Sequence, residues 1–143
     1  MMDAHILVID DAPDLRALYA DAFAGEGYRV TLMAHVPADP EEIDAIQPDV
    51  IVVDYLFDGQ PVGWPLVHAL KQRPATQHLP ILLCTAAART VQDHLPYVHA
   101  QQIGLLLKPF ELDALLNGIH ELFGGTRDDG ETVFVQAAAR SVT

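Results

Sequence analysis

The sequence contains a run of four β-branched apolar residues, Val50 to Val53, which stops abruptly at Asp54. A strand with apolar side chains on both faces can be buried only if other layers cover both sides of its sheet. Such strands are typical of parallel sheets, because the helical connections between parallel strands pack on both faces. The run therefore predicts an α/β fold built around a parallel sheet.

Four further segments are predicted to be strands, and segments with helical periodicity alternate with them. The five predicted strands cover residues 6–9, 28–33, 50–53, 80–84 and 103–107. The predicted helices cover residues 13–23, 39–46, 64–71, a segment from about residue 90, and 111–123. This alternation predicts a right-handed (βα)5 three-layer sandwich around a parallel five-stranded sheet.

Pro96 falls inside the fourth helical segment. A proline in a helix interior removes a hydrogen bond and clashes with the preceding turn, at a cost of about 3 kcal/mol. We therefore expect this helix to be short, broken or restarted at Pro96.

The formal net charge of −12 argues against direct binding to nucleic acids or to an acidic membrane surface. A single cysteine, Cys84, excludes an intramolecular disulfide. The chain shows no signal peptide and no apolar run of membrane-spanning length, which predicts a cytoplasmic location. Residues 1–124 form the predicted domain. Residues 125–143 are predicted to be a flexible tail, with a docking peptide or a capping strand as alternatives.

Polar residues follow the predicted strands at the same end of each. Asp10 and Asp11 follow the first strand, Asp54 the third, Thr85 the fourth and Lys108 the fifth. The carboxyl ends of parallel strands form the ligand crevice in open α/β sheets. These five side chains are therefore expected to meet in one pocket.

The chemistry of these side chains is complementary. Three carboxylates at close range repel one another, and a hard cation relieves that repulsion. A few oxygen ligands with room for water favour Mg²⁺ over a closed Ca²⁺ or Zn²⁺ site. Lys108 offers a compact positive charge and Thr85 a hydroxyl donor, and both suit phosphoryl oxygens. One carboxylate remains as a nucleophile, so the pattern indicates a phosphoryl-transfer site.

These residues give the sequence a resemblance to the response-regulator receiver family over residues 4–124. The matching pieces are Val8-Ile9-Asp10-Asp11, Val52-Val53-Asp54, Leu83-Cys84-Thr85-Ala86 and Leu107-Lys108-Pro109-Phe110. Their order and spacing together make a specific signal, although each piece alone is short. The resemblance implies a flavodoxin-like fold with strand order 2-1-3-4-5.

The resemblance also implies a role for each site residue. Asp54 would accept a phosphoryl group from a sensor histidine kinase or a phosphotransfer protein. Asp11 and Asp54 would bind Mg²⁺ (or Mn²⁺) directly, Asp10 would act through water, and the backbone carbonyl of Leu56 would be a further ligand.

Other implied roles concern the switch. Thr85 would supply a hydroxyl that swings toward the phosphoryl group, Lys108 would be its ion-pair partner, and the Lys108–Pro109 bond would be cis. Receivers usually carry an aromatic residue three positions before the lysine, whereas Leu105 stands here. The relay to the output face is therefore expected to be weaker or to use another residue.

The predicted function is that of a stand-alone receiver, because about twenty residues after the last helix are too few for a DNA-binding module. It would signal by phosphorylation-dependent docking to an unknown output protein. We expect a monomer or weak dimer, since Pro96 interrupts a face that receivers often use for dimerisation. Spontaneous dephosphorylation is expected to be slow, because Leu56 and Ala87 beside the acyl phosphate would be apolar.

Two alternatives come from other functional classes. One is a pseudo-receiver, a binding module that works without phosphorylation. The atypical Leu105 and Pro96 suggest it, whereas the complete set of site residues argues against it: Asp10, Asp11, Asp54, Thr85 and Lys108. The other is a phosphohydrolase similar to the haloacid dehalogenases. That family places its nucleophile after the first strand with a second acid two positions later, whereas Asp10 and Asp11 are adjacent here and Ala12 follows.

Overall fold

The computed structural model describes residues 4–86, 89, 92–101, 103–124 and 134–135. All strand pairs are parallel, and the sheet order is β2-β1-β3-β4-β5-β6. The strands are β1 His5–Ile9, β2 Arg29–Met33, β3 Val50–Asp54, β4 Ile81–Thr85, β5 Ile103–Leu107 and β6 Phe134–Val135. The predicted flavodoxin-like order 2-1-3-4-5 is therefore confirmed.

Helices cover both faces of this sheet, as the apolar strands require. Every residue of β1, β3 and β4 is buried. The α-helices are α1 Pro13–Gly25, α2 Glu41–Ile46, α3 Gly63–Lys71, α4 Leu95–Ala100 and α5 Leu112–Gly124. Two apolar cores result, one on the side of α1 and α5 and one on the side of α2, α3 and α4. Within the described ranges, no helix is long and apolar enough to span a bilayer.

The fourth helical segment is divided, as the position of Pro96 predicts. A 3₁₀ turn covers Gln92–His94, and α4 begins directly after it at Leu95. Pro96 thus lies in the first turn of α4, where its missing N–H has no helical acceptor to lose.

The sheet has one strand more than the five predicted strands, and this strand lies in the segment for which a capping strand is the alternative to a flexible tail. β6 lies beside β5, with Phe134 opposite Leu105 and Val135 opposite Leu106. A strand of two residues is too short to show a hydrophobic periodicity in the sequence. Its pairing depends on β5, which is distant in the sequence. Residues 125–133 and 136–143 of the predicted tail lie outside the described part of the chain.

Gly63, the first residue of α3, lies against the end of β3. A Cβ atom at this position would lie 1.9 Å from the carbonyl oxygen of Asp54 and 3.1 Å from that of Tyr55. The Gly63 amide donates a hydrogen bond to the Tyr55 carbonyl at 3.1 Å. Only glycine therefore permits α3 to start this close to the strand that carries Asp54.

We predict that Gly63→Ala lowers the free energy of unfolding by about 1–3 kcal/mol or more, because backbone atoms must move apart to admit the methyl group. Urea unfolding followed by circular dichroism measures this. Gly25→Ala is the matched control, because a Cβ at Gly25 meets no heavy atom within 4 Å. Equal losses in both variants would contradict the close-approach explanation.

Candidate phosphoryl-transfer site

Three carboxylates meet at the carboxyl edge of the sheet. Asp10, Asp11 and Asp54 each offer an oxygen atom, and these atoms lie within 4.8 Å of one another. Asp10 is only 1% exposed and Asp54 is 8% exposed, whereas Asp11 faces solvent. The predicted convergence of the first and third strand ends is thus present in the structure, with one carboxylate open to solvent.

Lys108 brings a positive charge to the same place from the end of β5. Its Nζ atom donates hydrogen bonds to Asp54 Oδ2 at 3.0 Å and to Asp10 Oδ2 at 3.2 Å. Burial opposes the charged ammonium, but attraction to Asp54 and Asp10 outweighs it and raises the pKa of Lys108. Three carboxylates still face one ammonium, so the site keeps an excess of negative charge.

The charge balance also changes the acidity of Asp54. Burial raises the pKa of Asp54, while Lys108 lowers it and Asp10 raises it again, so that the net direction is upward. The ionised form of Asp54 is therefore less favoured, relative to its protonated form, than in an exposed aspartate. A cation bound nearby would favour this ionised form.

Asp10 is fixed by local contacts. Its Oδ1 atom accepts a hydrogen bond from the Ala12 amide at 2.9 Å, and its carbonyl accepts one from Arg16 Nη1 at 2.9 Å. The first contact closes an Asx-type turn between β1 and α1. Sequence reasoning did not identify Arg16, because a lone arginine on α1 gives no sign of which carbonyl it reaches.

The turn between β3 and α3 fixes Asp11. Phe57 and Gln60 exchange backbone hydrogen bonds at 2.8 and 2.9 Å, and Asp58 and Gly59 between them have φ values of 53° and 77°. Two consecutive positive φ values are typical of a type I′ turn, which Asp-Gly favours. The Asp58 amide donates to Asp11 Oδ2 at 2.7 Å. The turn thus ties an exposed carboxylate to the loop beside Asp54.

The remaining predicted residues lie around this cluster. Thr85 is fully buried at the end of β4, and its carbonyl accepts a hydrogen bond from the Lys108 amide at 2.8 Å. The Lys108–Pro109 peptide bond is cis. The Leu56 amide lies 3.4 Å from Asp54 Oδ1, at the long end of hydrogen-bond distances. Ligation of a metal by the Leu56 carbonyl stays a prediction.

Leu105, the atypical switch position, is buried in β5 and is 1% exposed. It lies in register with Leu83 of β4 on one side and with Phe134 of β6 on the other. The structure therefore has an aliphatic core residue at the position where the resemblance to the receiver family predicts an aromatic ring. Ala87, the other position considered for dephosphorylation, lies outside the described residues.

The donor set fits a divalent cation. Carboxylate oxygens are the ligands that Mg²⁺ and Mn²⁺ prefer, and the excess of negative charge is what such an ion would offset. Asp11, the exposed member, leaves a route from solvent. Asp10, Asp11 and Asp54 are therefore the residues able to hold the ion.

Comparisons with known proteins agree with this geometry. The model of the response regulator receiver domain family matches residues 6–120, which is more than half of the chain. Transcriptional regulatory protein TcrA of Mycobacterium tuberculosis is 30% identical over 118 residues, covering 82% of this chain and 45% of TcrA. Response regulator PleD of Caulobacter vibrioides is 32% identical over 85 residues, covering 59% of this chain and 18% of PleD. The chain thus spans less than half the length of either relative.

Solved structures show the same fold. Chemotaxis protein CheY4 of Vibrio cholerae superposes with a TM-score of 0.71 at 24% identity, covering 83% of this chain and 98% of that chain. A sensor protein from Polaromonas sp. JS666 gives a TM-score of 0.70 at 25% identity, covering 82% of this chain and 94% of that chain. At such identities the likeness to these structures is one of architecture.

We predict that Asp11→Asn lowers the affinity for Mg²⁺ at least about tenfold, since losing even an outer-sphere contact often costs that much. Isothermal titration calorimetry with MgCl₂ measures the change. Asp21→Asn, at an exposed position on α1 away from the cluster, is the matched control and should bind Mg²⁺ like the wild type. Equal affinities in all three proteins would show that the carboxylate cluster does not hold the ion.

Proposed function

Because the chain belongs to the response regulator receiver domain family, we propose that it is a phosphoryl-accepting switch whose acceptor is Asp54. The proposed donor is a phosphohistidine of a sensor histidine kinase or a phosphotransfer protein. The observation that carries the proposal is the contact of Lys108 with both Asp54 and Asp10 at the carboxyl edge of the sheet. It brings the ends of β1, β3 and β5 together around one nucleophile.

The chemistry assigned to Asp54 is nucleophilic substitution at phosphorus. A carboxylate oxygen of Asp54 forms the new O–P bond as the N–P bond to the donor histidine breaks, and the electron pair of that bond leaves with the imidazole. When bound at the carboxylates, Mg²⁺ would offset their repulsion toward the incoming phosphoryl oxygens.

Lys108 supplies the positive charge that comes from the protein rather than from the cation. The ammonium hydrogen-bonds to Asp54 before the reaction and is close enough to move to a phosphoryl oxygen once the new bond has formed. Thr85, at the end of the adjacent strand, is assigned the hydroxyl donor to the same group. Both residues would make contacts with the phosphoryl group that are absent from the unphosphorylated domain, and these contacts would favour a different conformation.

Signalling is proposed to pass from Asp54 to a protein surface that an output partner binds. Leu105 supports a relay that differs from the usual one, because a buried aliphatic side chain offers no ring to exchange between two positions. The same observation favours the second candidate, a pseudo-receiver that binds its partner without phosphorylation. Membership of the receiver family favours both candidates over the phosphohydrolase.

We predict that wild-type protein incubated with acetyl phosphate and Mg²⁺ gains the mass of one phosphoryl group and that Asp54→Asn does not. Intact-mass spectrometry measures both. Asp58→Asn is the matched control, because Asp58 is an exposed acidic residue in the turn that follows β3. It should be phosphorylated like the wild type, and chelation of Mg²⁺ should prevent the reaction in both of these proteins.

Two outcomes would contradict the proposal. Phosphorylation of Asp54→Asn would assign the acceptor to another residue. Absence of an adduct on the wild type, under conditions that label a known receiver, would favour the pseudo-receiver instead.

A further inference from the structure

Tyr19 lies on α1 beneath the site and is fully buried. Its ring stacks against Phe23 of the same helix, with ring centroids 6.1 Å apart, and against Phe110, with centroids 6.0 Å apart. Phe110 follows Lys108 and Pro109 directly. One buried ring therefore packs in the core and also contacts the segment that carries the ammonium of the site.

The hydroxyl of Tyr19 is the part that this packing does not explain. Among the residues described by the structure, it is the one buried side-chain oxygen or nitrogen atom for which no oxygen or nitrogen hydrogen-bond partner is found. Its polar contact is with the thiol of Cys84, and a thiol sulfur is a weak acceptor. A phenylalanine would fill the same space without burying a polar group, so the hydroxyl contributes little to the stability of this conformation.

The position of the hydroxyl relates it to the site. Cys84 lies opposite Asp54 in the sheet and immediately precedes Thr85. Burial raises the pKa of Tyr19, and Cys84, Asp10 and Asp54 raise it further. The phenol therefore stays protonated and is an available hydrogen-bond donor within the electrostatic reach of the carboxylates.

We propose that Tyr19 is a positioning residue for the phosphorylated state, whose hydroxyl gains a hydrogen-bond acceptor when the segments of Thr85 and Lys108 close on a phosphoryl group at Asp54. The proposal rests on the function proposed above. Tyr19 contacts Cys84 and Phe110, the residues next to these two segments, so their movement changes the surroundings of the hydroxyl. A donor that exchanges a weak sulfur acceptor for an oxygen acceptor on phosphorylation favours the phosphorylated conformation by the difference between the two hydrogen bonds.

The test compares Tyr19→Phe with the wild type in two states, free and bound to beryllofluoride with Mg²⁺. We expect the free variant to melt at the same temperature as the wild type or higher, since it loses only a buried hydroxyl whose contact is a weak thiol acceptor. We expect its affinity for beryllofluoride to fall about fivefold to tenfold, which is what one net hydrogen bond contributes. The hydroxyl-proton NMR signal of Tyr19 should shift in the wild type when beryllofluoride binds.

Tyr28→Phe is the matched control. Tyr28 belongs to the same aromatic cluster, with its ring 6.2 Å from Phe23 and 5.5 Å from Phe123, but it is half-buried. Its variant should bind beryllofluoride like the wild type.

Three results would overturn the inference. A lower melting temperature of free Tyr19→Phe would show that the hydroxyl already has a strong hydrogen-bond partner in the free protein. Unchanged beryllofluoride affinity in that variant, with normal binding by the wild type, would overturn the positioning role alone. Failure of the wild type to bind beryllofluoride or to accept a phosphoryl group would overturn the proposed function, and the role of Tyr19 with it.

Discussion

The contact of one ammonium with two buried carboxylates is the interaction on which the site depends. Lys108 reaches Asp54 and Asp10 at 3.0 and 3.2 Å, although the three residues are far apart in the sequence. Without that positive charge, two carboxylates that are nearly excluded from water would lie side by side at the carboxyl ends of the strands. The strands β1, β3, β4 and β5 are parallel neighbours in the sheet, so their carboxyl ends lie together and the three residues meet there.

Neighbouring residues fix the position of each of the three aspartates. Arg16 holds the backbone of Asp10, the Asp58 amide holds Asp11, and Gly63 lets α3 begin against the backbone of Asp54. Packing then differs on the two sides of the sheet. Tyr19 and Phe110 stack beneath the site on the side of α1 and α5.

The opposite side carries a second group of rings. Trp64 of α3 stacks on His94 with centroids 4.1 Å apart, and His94 also approaches Tyr55, the residue after Asp54, at 6.1 Å. These contacts connect the end of β3 with α3 and with the 3₁₀ turn before α4. Aromatic side chains thus pack on this side of the fold, whereas Leu105 of β5 is aliphatic.

The residues themselves were sufficient to predict the parallel sheet, the divided fourth helix and the convergence of the charged residues, whereas the strand order 2-1-3-4-5 came from the resemblance to the receiver family. Each of the first three depends on a local pattern: an apolar run that ends in Asp54, a proline at position 96, or a polar residue at a strand end. Contacts that depend on the packing between elements were not predictable in this way. The helical spacing of α1 places Tyr19 in the core, but only the three-dimensional arrangement shows that its hydroxyl meets the Cys84 thiol and no oxygen or nitrogen partner.

β6 and the Asp58 turn illustrate the same limit. A strand of two residues has no periodicity of its own, and its pairing with Leu105 and Leu106 is a long-range contact. The Asp-Gly pair predicts a turn, yet the hydrogen bond from its amide to Asp11 depends on how β1 and β3 are aligned.

A crystal structure of the protein with Mg²⁺ and beryllofluoride would locate both the phosphoryl acceptor and the cation. We expect beryllofluoride on a carboxylate oxygen of Asp54, the cation bound to Asp11 and Asp54, and the Lys108 ammonium on a fluorine atom. Beryllofluoride at another residue, or a cation bound away from the carboxylate cluster, would contradict the assignment of a phosphoryl-accepting site to the carboxyl ends of these strands.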